Sequence, residues 1–299
     1  MKFPFFALAA GATLALSASA GAEEAPRRLY PGRAPGSEAW TRPETVAQRP
    51  DGALVYTNVR DPELTTHRPA PGRANGSAVI LLPGGGLRVL SVGQENKDLI
   101  QLFTERGVTV FVLKYRILQA APTPPAPAAS GPLQFPKLVI RNANANPAPD
   151  DLRLNEVLRF AVHDAQTALR MVRADAKAQH IDPSRVGFVG SSAGGGVAIG
   201  TLLANAPGAT PDFIVSLYGP ALQDVVVPPQ APPLFIATET PHGPVTDGLV
   251  ELFGLWKDAN RPVELHVFDV PNFAMPVSLF ETRLVAFLAQ HQIIDAAAD

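Results

Sequence analysis

Cysteine is absent from the 299 residues. Its absence excludes disulfides, thiolate nucleophiles and cysteine-type zinc sites together. Charge is sparse too, at 17% of residues, so the chain is not a charged disordered polymer. Neither sign is in excess: Lys+Arg 25 stands against Asp+Glu 27, a net charge of −2. A nucleic-acid binder normally carries a clear basic surplus, so that class is excluded. Ligand spacings such as H-E-x-x-H are missing, as is a phosphate loop, so neither a metal nor a cofactor is expected. After residue 22 no stretch approaches ~18 consecutive apolar residues, and no bilayer span is expected there.

What is present in quantity is hydrophobic residues, at 46%, and proline, 31 of 299. The first supplies a core; the second marks many turns and fixed loops. The N-terminus is distinctive. Met1-Lys2 is a positive start, Phe3 to Leu16 is apolar, and Ser17-Ala-Ser-Ala20-Gly-Ala22 offers small-residue cleavage sites. Residues 1–22 therefore read as a secretory signal peptide, with an uncleaved anchor as the alternative. The expectation is an exported protein, periplasmic or extracellular, with 23–299 forming one domain.

Along that domain, short apolar runs alternate with helical periods. Strands are expected at 53–56, around 65–69, and at 78–82, 108–113, 186–189, 213–217, 234–237 and 263–268. Helical spacing recurs at 96–105, 154–178, 191–204, 246–259 and 277–290. The alternation indicates βαβ units and an α/β class with a mostly parallel sheet. Residues 23–52 read as an extended lead-in. Residues 120–150 interrupt the rhythm with eight prolines and read as a Pro-rich flap insert.

The sharpest motif is Gly190-Ser191-Ser192-Ala193-Gly194, a G-x-S-x-G sequence between a buried strand and a helix. That setting is a nucleophile elbow, with Ser192 raised on a strained turn. Its glycines do not fit the G-x-G-x-x-G spacing of a dinucleotide loop. Pro83-Gly84-Gly85-Gly86 follows another buried strand. Bare glycine backbone can approach a substrate oxygen, so the N–H groups of Gly85, Gly86 and Ala193 form a candidate oxyanion hole.

Together with Leu29-Tyr-Pro-Gly32, Leu113-Lys-Tyr-Arg116, Asp164, Ile181-Asp-Pro-Ser-Arg185 and Pro232-Pro-Leu-Phe235, these stretches make the chain resemble secreted α/β-hydrolases of the acetyl-xylan-esterase-like or feruloyl-esterase-like group. The resemblance implies an eight-stranded sheet with helices on both faces, a serine nucleophile and hydrolysis of small esters or acylated saccharides.

The same resemblance implies an acid after the strand at 234–237 and a histidine after the strand at 263–268. Neither stands in its usual place, and Phe273 occupies the position of the histidine. Phenylalanine accepts no proton. Five of the six histidines (His67, His163, His180, His266, His291) lie away from the expected sheet edge. His242 lies on a loop at the edge where open α/β folds place their sites, with Glu239 or Asp247 available to orient it. Two readings stay open. One is a serine esterase with a rearranged triad of Ser192 and His242. The other is a catalytically weakened relative that binds a ligand or sugar polymer. A lipid- or peptide-directed hydrolase is a third, less demanded by the residues.

Overall fold

The computed structural model describes residues 23–120, 137–271 and 275–295. The expected signal peptide, residues 121–136 of the insert and Phe273 lie outside the described residues.

Eight strands form the main sheet, in the order β1(Arg27–Arg28), β4(Glu63–His67), β7(Thr109–Lys114), β5(Ala78–Leu82), β8(Val186–Ser191), β9(Ile214–Leu217), β10(Leu234–Glu239) and β11(Val263–Phe268). The first two pairings are antiparallel; every pairing from β7 to β11 is parallel. Strands β2(Thr45–Gln48), β3(Leu54–Thr57) and β6(Leu90–Val92) make a small antiparallel sheet.

Side-chain alternation explains why the central strands are continuous apolar runs. Ala78, Ile80 and Leu82 of β5 face one core, with Leu249, Leu252 and Trp256 of α4(Pro244–Asp258). The helices α2(Leu152–Ala174) and α3(Ala193–Leu203) pack on that side too. Val79 and Leu81 face the other core, with α1(Gln94–Glu105) and α5(Glu281–Gln290). Both sheet faces are covered, so no residue of β5 can be polar.

Three strands escape the sequence pattern. β1 and β2 lie in the lead-in and are exposed throughout, so neither carries an apolar alternation. β6 spans three residues, too few to show a period. Helix α2 starts at Leu152 because the Asp151 carboxylate accepts from the N–H groups of Arg153 and Leu154, at 3.1 and 3.2 Å. Val277–Leu279 is a separate 3₁₀ turn, which shortens α5.

Three of the motif stretches meet in one buried network. The Arg116 guanidinium donates to Asp164 at 2.7 Å, and both side chains are fully buried. It also donates to the Pro35 carbonyl at 2.7 Å, and Tyr30 donates to Asp164 at 2.8 Å. The segment that follows β7, the long helix α2 and the lead-in are thereby tied together. These residues hold the frame of the molecule, away from the serine.

The chain leaves β5 toward β7 on one side and reaches β8 on the other. Such a switch point opens a crevice at the C-terminal strand ends. The three-glycine turn leaves β5 there, and Ser192 leaves β8.

Candidate active site

Ser192 joins β8 to α3 with φ 51° and ψ −125°, backbone angles that side-chain-bearing residues rarely adopt. Its neighbours make that turn possible. A Cβ on Gly194 would lie 2.0 Å from the Leu82 carbonyl oxygen, and one on Gly190 would lie 2.4 Å from the Gly194 carbonyl oxygen. Only hydrogen fits at either position. The Ser192 N–H donates to the Leu217 carbonyl at 2.9 Å, which fixes the elbow to the end of β9.

Two cavities meet at this serine. One, of about 250 Å³, is mostly apolar; Leu87, Leu154, Leu158 and Leu222 form much of its wall. Gly86, Ser192, Ala193 and His242 all line it. The second, of about 330 Å³, is the more polar of the two and is lined by Gly84, Gly85, Ser191, Ser192, Glu95 and Tyr218, with Arg49 and Asp51 also on its wall. The expected oxyanion residues therefore stand on either side of the serine: Gly86 and Ala193 at the apolar cavity, Gly85 at the polar one. Gly85 has φ 139°, and a Cβ there would lie 2.1 Å from the Val89 carbonyl oxygen, so the turn requires glycine. Ala193 opens helix α3, whose first N–H groups have no acceptor within the helix.

His242 ends a 3₁₀ turn, Thr240–His242, that follows β10 directly. The strand runs two residues beyond its apolar core and ends on Glu239, which is buried. A buried carboxyl group thus stands at the last residue of the strand. Glu239 Oε1 lies 2.9 Å from His242 Nδ1. Asp247, the other acid considered, sits exposed in the first turn of α4. Among the described residues no group of three or more metal-ligating side chains occurs.

Sequence reasoning missed three residues here. Ser191 and Tyr218 both donate hydrogen bonds to the Glu95 carboxylate, one to each oxygen. The Tyr218 ring stacks on the His242 ring with centroids 5.8 Å apart. Tyr218 also has a positive φ, 39°. Burial pushes the Glu95 carboxyl above its usual range, with the charges of Glu239 and Asp98 adding to the effect and the two hydrogen bonds opposing it. An acid in the first turn of a helix reads from sequence as a favourable cap residue, which conceals this role.

Four of the other five histidines have local partners, and His180 lies in a turn with φ 56°. His163 Nδ1 lies 2.9 Å from the Tyr30 hydroxyl, and His266 Nε2 lies 3.0 Å from Glu264. His67 faces Glu23, and His291 packs on Phe287.

A family model described as alpha/beta hydrolase fold matches residues 155–266. No curated protein matches the chain. Among solved structures, an acetyl ester-xyloside bifunctional hydrolase from Caldicellulosiruptor lactoaceticus is 20% identical, with 79% of this chain and 90% of that chain covered and a TM-score of 0.55. A carboxylesterase from Lactobacillus plantarum WCFS1 is 15% identical, covering 84% and 99%, with a TM-score of 0.57. A propionate-bound thermophilic esterase from Thermogutta terrifontis is 17% identical, covering 86% and 96%, with a TM-score of 0.57. With its parallel sheet, its helices on both faces and these neighbours, the chain has the α/β-hydrolase fold.

Proposed function

We propose that this protein is a serine-dependent hydrolase of carboxylic esters that uses Ser192, His242 and Glu239. One observation carries the reading: His242 lines the same cavity as Ser192, and its Nδ1 is held by the buried Glu239. With Nδ1–H donating to Glu239, Nε2 takes the role of base. It accepts the Ser192 proton as the oxygen attacks the ester carbonyl. The oxyanion that forms is met by the N–H groups of Gly86 and Ala193, with Gly85 adjacent. His242 then returns the proton to the departing alkoxide, leaving an acylated serine. Water, deprotonated by the same nitrogen, releases the acid and restores the hydroxyl.

The apolar cavity suits a small ester. The described part of the 120–150 insert, read from sequence as a flap, supplies Leu138, Ala145, Asn146 and Pro147 to its wall. Acylated saccharides remain within the proposal on the sequence resemblance, and one neighbour is named for an acetyl ester-xyloside activity. The N-terminal pattern supports export, with 23–299 as the working domain. The ligand-binding reading drew its support from the displaced acid and from Phe273, and in this proposal Glu239 and His242 take those two roles.

Hydrolysis of short acyl esters tests the proposal. Ser192→Ala and His242→Ala each lower kcat by about 10³-fold or more, and Phe273→His brings no gain. Turnover unchanged in Ser192→Ala would overturn it.

A further inference from the structure

We propose that Glu95 is a positioning residue for the ester chemistry, the joint between the nucleophile elbow and the histidine. This rests on the reading of Ser192 and His242 as nucleophile and base. One Glu95 oxygen accepts from Ser191, the residue immediately before Ser192. The other accepts from Tyr218, whose ring lies against His242. A single carboxylate thus reaches both reacting residues through one intermediary each. The strained backbone supports a functional role. Ser192 and Tyr218 both have positive φ, and the surrounding structure holds both at the cavity. The Tyr218 N–H donates to the Ala237 carbonyl at 2.6 Å, so the ring cannot drift without disturbing β10 and Glu239 behind it.

The charged and titratable groups around Glu95 come from five elements. Asp98 lies on its own helix, and Glu239 ends β10. Tyr218 follows β9, His242 ends the 3₁₀ turn, and Arg49 and Asp51 stand on the cavity wall, paired with each other at 3.0 Å. No cation is paired with Glu95 among the described residues, so its ionised form rests on two hydroxyl donors. Ionised, it adds a second negative charge beside the His242–Glu239 pair and favours the imidazolium that forms during the reaction. Protonated, it loses that effect, and one of the two hydroxyl contacts must rearrange. Burial holds the Glu95 carboxyl above the usual carboxylate range, so it takes up its proton earlier than an exposed acid as pH drops, and the effect of its charge is lost with it.

The test uses Glu95→Gln and Tyr218→Phe in the full chain, with Ser192→Ala as the control for the chemistry itself. The acid limb of log kcat/KM is steeper in the wild type than in Glu95→Gln, which has no carboxyl left to protonate at that position. Tyr218→Phe keeps the stacked ring and lowers kcat by roughly tenfold; Tyr218→Ala removes it and lowers kcat by about 10²-fold with KM little changed. A packing role would lower rates at every pH and leave the slope alone. NMR titration of His242 in the Ser192→Ala background gives a reading that needs no turnover. The His242 titration moves down by roughly half a pH unit in Glu95→Gln, as the neighbouring negative charge is lost. An unchanged slope, or an unmoved His242 titration, would overturn the proposal. Absent wild-type turnover with a moved His242 titration would instead count against the ester chemistry and leave the Glu95 coupling standing.

Discussion

Ser192 holds an unfavourable backbone conformation, and in the proposed reaction its hydroxyl is the nucleophile. At φ 51° and ψ −125° a side chain costs about 1–3 kcal/mol, and glycine escapes the cost. Ser192→Gly should therefore be more stable than Ser192→Ala by about 1 kcal/mol in urea unfolding, although both lose the nucleophile. Equal stabilities would mean that the elbow is relaxed. At this scale the sequence was informative where chemistry is local. The G-x-S-x-G spacing located Ser192, and the close approach of Gly194 to the Leu82 carbonyl explains why the spacing is rigid. It was uninformative where chemistry depends on a distant partner. Glu95 and Tyr218 stand 123 positions apart, and nothing local to either reveals that they touch.

Between elements, the buried Arg116–Asp164 pair joins the segment after β7 to α2 and draws in the lead-in through Pro35 and Tyr30. Breaking such a pair leaves an uncompensated buried charge. Arg116→Met should cost about 3–5 kcal/mol in urea unfolding. The double variant Arg116→Met, Asp164→Leu should recover part of that loss, since no charge is then left unpaired. A single variant of near wild-type stability would contradict the network's role. The element pattern was legible because buried parallel strands read as apolar runs, as in Ala78–Leu82. Element ends were less so. β10 continues through Thr238 and Glu239, polar residues that composition assigns to a loop. That extension by two residues places Glu239 beside His242.

Across the whole molecule, the sheet order brings the ends of β5, β8, β9 and β10 to one edge. Four separate stretches, 84–86, 190–194, 218 and 239–242, converge there. The resemblance to α/β-hydrolases implied the sheet that makes that edge, and Ser192 stands there. The same resemblance implied a histidine after β11, whereas His242 reaches the cavity from a turn after β10. The account therefore stands on whether Ser192 is activated by that histidine. Covalent labelling reads this most directly: react the full chain with a dialkyl phosphate ester of nitrophenol and map the adduct by peptide mass spectrometry. The prediction is one phosphoryl group on Ser192, formed about 10³-fold more slowly in His242→Ala and absent in Ser192→Ala. Labelling at another residue, or a rate indifferent to His242, would contradict the account.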